Sequence, residues 1–422
     1  MKVLIVNASD NIGGAAKAAR RLHNALIGSG INSQMLVLTK VTDDYTVLSD
    51  ESKIKYAFSK LLPTFDLLPV KLYKKRSGTL FSAAWFPFTG VSERINALKP
   101  DIVHLHWVCG GMIRIEDIAN IKVPIVWSLH DNWAFTGGCH VMWDCDRYKE
   151  KCGRCPRLGS DFGMDLSRIL FFKKDKTYSK ISNLTLVGLS RWIASCATES
   201  KLLASKRIVH LPNLIDSTTF SPIDKTSARE LLNLPLNKKL VVFGAVKAVS
   251  DINKGYKELC SALHLLENRN IEVVVFGSGL PKDAPKFGFN THYVGYLSDD
   301  LSLRVLYNAA DVVVVPSLQE NLSNTIMESL ACGTPVVAFD IGGNGDMIEH
   351  QINGYLARPF ESKDLAQGIE WVLNATNYSE LALNARAKIL REFDSNVVVT
   401  KYIALYQNIL NTHGHDKQIV AI

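Results

Sequence analysis

The sequence predicts an α/β protein of two parallel-sheet domains. Three observations carry this expectation. Short apolar strands alternate with helical stretches along nearly the whole chain, several of the strands are unbroken apolar runs, and one Pro- and Asn-bearing stretch divides the series into two halves. Alternation of strand and helix is the pattern of a parallel sheet with crossover helices. A strand covered on both faces reads as a continuous apolar run. The chain has 422 residues, 47% of them hydrophobic and 21% charged, so each half can bury a core of its own.

In the first half, strands are read at residues 3–6, 34–38, 102–105, 125–129 and 184–189. In the second they are read at 240–243, 273–276, 311–315 and 335–339. The break falls at Leu211-Pro212-Asn213-Leu214-Ile215-Asp216, followed by Phe220-Ser221-Pro222, where Pro and Asn interrupt helix and strand alike. This gives domains at 1–212 and 213–395, then a C-terminal segment, 396–422, expected to pack back on the first domain. Within that segment a helix is read over 397–410 and a frayed polar stretch over 411–417.

The opening apolar run, residues 3–6, stops at Asn7 and is too short for a signal peptide. No stretch approaches the roughly 20 apolar residues that span a bilayer, and the longest candidate, 80–91, is broken by Pro87. The expectation is a cytoplasmic chain. Its net charge of +7 suits an anionic small substrate or an anionic surface. No helix-turn-helix signature, aromatic RNP segment or zinc-finger spacing is present, so a nucleic-acid partner is not expected.

The first strand leads through Ser9-Asp10-Asn11-Ile12 to Gly13 and Gly14 and an Ala-rich helix. Such glycines let a phosphate or sugar approach the backbone at a helix N-terminus, and they equally make an ordinary strand-to-helix turn. The G-x-G-x-x-G pattern is incomplete, and the second strand ends Val37-Leu38-Thr39-Lys40 without an acid, which argues against a dinucleotide. The strand at 125–129 ends in His130-Asp131-Asn132-Trp133. A His there can contact a sugar, serve acid–base chemistry or simply cap its loop. Cys139, Cys145, Cys152 and Cys155 follow with spacing C-x₅-C-x₆-C-x₂-C, inside an insertion at 136–160. That density suits a structural zinc, with free thiols or disulfides as the alternatives.

The most informative stretch starts at Asp311. A buried strand ends at Pro316-Ser317, a loop carries Glu320, Asn321 and Ser323 can cap the next helix, and Glu328 lies about two turns beyond Glu320. Gly333 and Pro335 stop the helix. Carboxylates accept hydrogen bonds from vicinal hydroxyls, and the free N–H groups of a helix start hold a diphosphate. Without context these are two solvated glutamates.

Context comes from a resemblance. Glu320-x₇-Glu328, followed by Ser329-Leu330-Ala331-Cys332-Gly333-Thr334-Pro335-Val336, resembles the motif of the retaining nucleotide-sugar glycosyltransferases of family 4. The likeness extends to Gly342-Gly343, Asp346, Asn353-Gly354-Tyr355, Tyr293-Val294-Gly295-Tyr296 and the linker 213–222. It implies a GT-B fold: two Rossmann-like domains with parallel sheets facing a central cleft, the donor held mainly by the C-terminal one. It implies that Glu328 binds ribose hydroxyls and that Glu320 lies beside the donor hexose. The main chain of Asn321, Leu322, Ser323 and Asn324 would lie against hexose or diphosphate. Many relatives have Gly at the position of Ser323, which makes the local backbone path a question for the structure. Relatives pair an Arg and a Lys on the diphosphate. The Lys matches as Lys254-Gly255, whereas Gly244-Ala245-Val246-Lys247 offers Lys247 in place of the Arg, a charge without a bidentate fork. A similar His lies near the donor sugar in relatives, where His130 stands here. Without an Asp-x-Asp motif, no catalytic metal is expected.

The implied reaction is same-face transfer of a hexose from a nucleoside diphosphate sugar to a saccharide or lipid-linked saccharide hydroxyl, in surface polysaccharide assembly. The alternatives are an epimerase or phosphorylase of the same fold, or a non-catalytic sugar-nucleotide-binding partner. Two stretches suit peripheral contact with an anionic membrane. In one, Lys53, Lys55, Lys60, Lys71, Lys74, Lys75 and Arg76 interleave with Tyr56, Phe58, Leu61, Leu62, Phe65 and Leu68. The other holds Arg168, Phe171, Phe172, Lys173, Lys174 and Lys176. Solvated helix faces over an ordinary core are the alternative.

Overall fold

The computed structural model describes residues 1–49, 59–86, 89–244, 251–267, 270–277, 287–297 and 299–419, with side chains to 412. Two compact units result: 1–213 together with 398–422, and 214–397. The first unit is therefore discontinuous in sequence. The division falls within two residues of the expected boundaries, and the last segment clusters with the first unit.

Among the described residues the first unit holds strands β1 (Lys2–Ser9), β2 (Asn32–Thr39), β3 (Val47–Leu48), β4 (Ile102–Leu105), β5 (Ile125–Leu129), β6 (Leu184–Gly188) and β7 (Arg207–His210). They form one sheet in the order β3-β2-β1-β4-β5-β6-β7, with every pairing parallel. The second unit holds β8 (Lys239–Gly244), β9 (Ile271–Phe276), β10 (Thr291–Gly295), β11 (Val312–Val315), β12 (Val336–Phe339) and β13 (Gly354–Ala357). Their order is β10-β9-β8-β11-β12-β13, again parallel throughout. The apolar runs lie in the sheet centres: Val3 to Val6 and Val312 to Val314 have no exposed surface. Burial of that apolar surface is the main term holding each sheet under its helices.

Both sheets reverse their strand order once, at β1/β4 and at β8/β11. Loops leaving the carboxyl ends of such neighbours diverge to opposite faces and leave a crevice, where ligands of open α/β sheets bind. The carboxyl end of β1 leads to Gly13, and β4 runs into His106. The carboxyl end of β8 leads toward Lys254, and β11 leads to Glu320. Gly13, Lys254 and Glu320 thus follow strands at their own unit's reversal point, whereas His130 leaves the neighbouring strand β5.

The final helix, Ser395–Ile419, continues through the stretch read as frayed from the sequence. Its Tyr402 and Tyr406 are buried in the first unit. The Tyr406 hydroxyl lies 2.7 Å from His104 Nδ1, and Tyr402 Oη reaches the carbonyls of Leu211 and Pro212 at 3.4 Å.

Candidate functional site

In the second unit, β11 is followed by Pro316 and Ser317, and the chain then turns through residues 318–323 into the helix Asn324–Ala331. Ser323 adopts an ordinary extended conformation, φ −73° and ψ 120°, and its Oγ accepts from the Ile326 N–H at 3.4 Å. The backbone path here does not require glycine, so Ser323 is accommodated and caps the helix. Two glycines are required elsewhere. Gly255 has φ +67°, and a Cβ on it would lie 1.7 Å from the Pro316 carbonyl oxygen. Gly342 has φ +54°, and a Cβ there would lie 1.8 Å from the Glu320 carbonyl oxygen. The Glu320 loop is therefore pressed between two backbones that only glycine brings this close. The neighbouring Asn253 ties it further: its amide donates to the Gln319 carbonyl at 2.8 Å, and its carbonyl accepts from Leu318 N at 2.9 Å.

These constraints bring Lys254 and Glu320 together. Lys254 Nζ is 3.4 Å from Glu320 Oε2, which also accepts from Ser317 Oγ at 3.2 Å. The Glu320 carboxylate raises the Lys254 ammonium above its ordinary pKa, against the effect of burial. A fixed ammonium beside a carboxylate can meet a phosphate with the first group and a hydroxyl with the second. Lys247, the substitute for the expected Arg, lies outside the described residues.

Glu328 stands in the middle of the capped helix, and only 3% of it is exposed. Its Oε2 accepts from the buried Tyr307 hydroxyl at 2.8 Å. Burial, then the Glu328 carboxylate, push the Tyr307 phenol well up, so this hydroxyl remains a donor at all physiological pH. Sequence reading did not find Tyr307, which sits 21 residues away on the helix Asp300–Ala309. Asn321 and Asn324 are partly buried, whereas Leu322 and Ser323 are buried.

In the first unit, Gly13 has φ +90° and opens the helix Gly14–Gly28, with no atom within 4 Å of where its Cβ would be. Conformation rather than crowding requires this glycine, and the space beside it is open. Asp10 anchors the same loop by accepting from Val41 N at 2.9 Å, Thr42 N at 3.0 Å and Thr42 Oγ1 at 2.6 Å.

His130 emerges directly from β5, and its partner is His106 rather than the adjacent Asp131: His106 Nδ1 and His130 Nε2 are 2.8 Å apart. Asp131 instead takes His140 Nδ1 at 2.6 Å, Trp107 Nε1 at 2.9 Å and Trp133 N at 2.8 Å. Burial acts to raise the Asp131 carboxyl, but His140 and these donors outweigh it and hold it below the usual range. Burial lowers His130 to about 4 and His104 to about 3, so both rings are neutral near pH 7. A small pocket is lined by His106, Trp107, His130 and Asp131.

The four clustered cysteines line a second small pocket. Burial pushes the Cys152 thiol up to about 12 and raises Cys139 and Cys155 as well. Among the described residues no group of three or more His, Cys, Asp or Glu is arranged to hold a metal ion. No disulfide joins these cysteines.

The basic, aromatic stretches divide in the same way. Lys53, Lys55, Tyr56 and Phe58 lie outside the described residues. Lys60, Leu61, Leu68, Lys71, Lys74, Lys75 and Arg76 are exposed, while Leu62 is buried and Phe65 partly so. In the second stretch Phe171 and Lys174 face inward on the helix Leu166–Tyr178. Lys174 has no exposed surface, donates to the carbonyls of Trp133 and Thr136, and lies 3.7 Å from the Trp133 ring centroid. This corrects the surface reading: residues 171, 174 and 178 are the core side of that helix, Phe172 and Lys176 are exposed, and Arg168 and Lys173 are partly buried. Among the described residues no helix is long and apolar enough to cross a membrane.

Residues 237–375 match the family model described as Glycosyl transferases group 1. The chain is 29% identical over 204 residues to the Campylobacter jejuni N,N'-diacetylbacillosaminyl-diphospho-undecaprenol alpha-1,3-N-acetylgalactosaminyltransferase, covering 46% of this chain and 53% of that protein. The match spans about half the length of the first curated relatives. Sucrose-phosphate synthase from Thermosynechococcus elongatus superposes with TM-score 0.68 at 17% identity, covering 98% of this chain and all, 100%, of that one. The Anabaena protein HepE, solved in complex with UDP-glucose, gives TM-score 0.62 at 18% identity, with 98% and 100% covered. These likenesses show the fold, a pair of Rossmann-like parallel-sheet units of GT-B type.

Proposed function

We propose that this chain, whose residues 237–375 match group 1 glycosyl transferases, moves a hexose from a nucleoside diphosphate sugar to a saccharide or lipid-linked saccharide hydroxyl with anomeric retention. The observation that carries the reading is the Lys254–Glu320 pair at the β8/β11 reversal, ahead of a capped helix that buries Glu328. In this reading Lys254 meets the departing diphosphate and offsets its charge, a contact worth roughly 10²–10³ in rate. Glu320 lies beside the hexose. Glu328, aimed by Tyr307, takes the ribose hydroxyls, and the N–H groups of residues 321–324 approach the phosphates. Within the first unit, Gly13 and Gly14 are assigned to donor binding and His130 to contact with a sugar. The leaving phosphate accepts the acceptor proton, so the chemistry needs no metal from this chain.

The lipid-linked diphosphate in the name of the Campylobacter relative supports a lipid-linked acceptor, and the UDP-glucose bound by HepE supports a nucleotide-sugar donor. The exposed Lys71, Leu72, Lys74 and Lys75 support peripheral contact with an anionic membrane, from the cytoplasmic side where nucleotide sugars are supplied. Surface polysaccharide assembly is the process this would serve.

A thermal-shift panel of UDP-, GDP- and dTDP-sugars tests donor binding, because a ligand of the native state raises its apparent stability. Nucleoside diphosphate released only when a saccharide acceptor is present separates transfer from epimerisation. Glu320→Ala is expected to lower turnover more than donor affinity, and Glu328→Ala to weaken the donor. Unchanged kinetics in both variants would sink the assignment.

A further inference from the structure

His104 and His106 project from the end of β4, and His130 follows β5, the next strand in the sheet. Their rings lie in a row, tilted by 37° and 31°, with centroids 4.4 Å apart for 104/106 and 5.0 Å for 106/130. One contact in it is informative. His106 Nδ1 and His130 Nε2 are 2.8 Å apart, so one proton lies between two nitrogens. The other ring nitrogen of His106, Nε2, is buried and has no hydrogen-bond partner.

The proton can be placed in two ways. If His130 Nε2–H donated, His106 Nδ1 would be the acceptor, and neutral His106 would carry its own proton on Nε2, a buried N–H with nothing to receive it. If His106 Nδ1–H donates, Nε2 is a bare lone pair. Buried donors left unsatisfied are rarer and costlier than unused acceptors. The second arrangement leaves His130 Nε2 as acceptor, and neutral His130 then holds its proton on Nδ1. Doubly protonating His106 is opposed by its burial, which lowers its pKa well below the ordinary value.

We infer that His106 is a positioning residue that locks His130 in its Nδ1–H tautomer, so that His130 enters the site as a hydrogen-bond donor from Nδ1 and not as a general base. Nε2 is occupied, and Nδ1 already holds a proton. The tautomer stands on its own; only the identity of the group that receives the Nδ1 proton rests on the proposed function, where a sugar or phosphate oxygen would be the acceptor.

The test is a two-bond ¹H–¹⁵N correlation spectrum of the full chain labelled with ¹⁵N-histidine, recorded near pH 7 without ligand, with His130→Gln used for assignment. The expected result is a protonated Nδ1 and an unprotonated Nε2 on His130, with coupling across the hydrogen bond to a protonated His106 Nδ1. In His106→Phe the His130 tautomers should mix or invert. A protonated His130 Nε2 in the wild-type chain overturns the inference, as does an unchanged His130 pattern in His106→Phe. If a variant fails to fold, the coupling across the hydrogen bond in the wild-type spectrum identifies the pair and decides alone. No nucleotide sugar is present, so this result and the failure of the transferase reading are separate outcomes.

Discussion

Removing the Tyr307 hydroxyl tests how Glu328 is held. The Tyr307 Oη to Glu328 Oε2 bond is 2.8 Å long, and its two residues are 0% and 3% exposed. A hydrogen bond to a charged group contributes about 1.5–3 kcal/mol, and a buried acceptor left short of its donor keeps its desolvation penalty. Tyr307→Phe should therefore destabilise the second unit by about 2 kcal/mol, a loss of about 4–8 °C in Tm for a domain of that size. Glu328→Gln keeps a neutral acceptor for the phenol and should cost about 1 kcal/mol. If the two side chains act as a pair, the double variant should fall short of the sum by at least about 0.5 kcal/mol. The assay is urea unfolding with hydrogen exchange read on peptides over 312–339, which reports the second unit specifically. A Tyr307→Phe change within about 0.3 kcal/mol of zero, or full additivity, refutes the reasoning. A donor-binding measurement on the same variants then asks whether aiming Glu328 matters for function: Tyr307→Phe should raise the donor Kd, and by less than Glu328→Ala does.

Other outcomes follow from the same geometry. Gly342→Ala places a methyl 1.8 Å from the Glu320 carbonyl oxygen at φ +54°; it should cost about 2 kcal/mol or more and abolish turnover, as thermal denaturation and a transfer assay would report. Lys254→Met should lower turnover by about 10²–10³ and Lys254→Arg by less, whereas equal loss in both would speak against a charge role. The first unit should be acid-labile. Burial lowers His23 to about 4, His104 to about 3 and His130 to about 4, from 6.5. Between pH 6.5 and about 4 the unfolded chain thus binds protons that the folded unit refuses, and the stability these rings contribute, complete above pH 6.5, is lost as pH falls through that window. Urea midpoints that stay flat from pH 7 to pH 5 would contradict this. Elemental analysis of purified protein should find no stoichiometric zinc, with Cys152→Ser as the control; zinc lost in that variant would reverse the free-thiol reading.

The strands visible in the sequence and those missed differ in one physical respect. β1, β4, β5, β8, β9, β11 and β12 are interior strands read as apolar runs. The strands missed as strands, β3, β7, β10 and β13, are the four edges of the two sheets. An edge is covered by one neighbour only, so its residues are mixed: Arg207–His210 and Thr291–Gly295 contain no fully buried position. Within the site, the residues on regular spacing were legible because Glu320, Glu328 and Lys254-Gly255 belong to local motifs. Their partners were not. Tyr307 and Ser317 are ordinary residues until folding brings their hydroxyls to a carboxylate. The adjacency of His130 and Asp131 even misleads, since Asp131 is taken by His140 and His130 by His106, 24 residues away.

The discontinuity of the first unit bears on the order in which the protein matures. Residues 214–397 form an uninterrupted unit, whereas residues 1–213 lack Tyr402 and Tyr406 until the end of the chain has been made. On the ribosome the second unit therefore has all its parts first, and the earlier-synthesised unit waits with its histidine row open at one end, His104 without the phenol that later contacts it. A chain ending before residue 398 would have every residue of unit 2 but an unfinished unit 1. Only a chain translated through Tyr406 can supply the phenol that His104 meets.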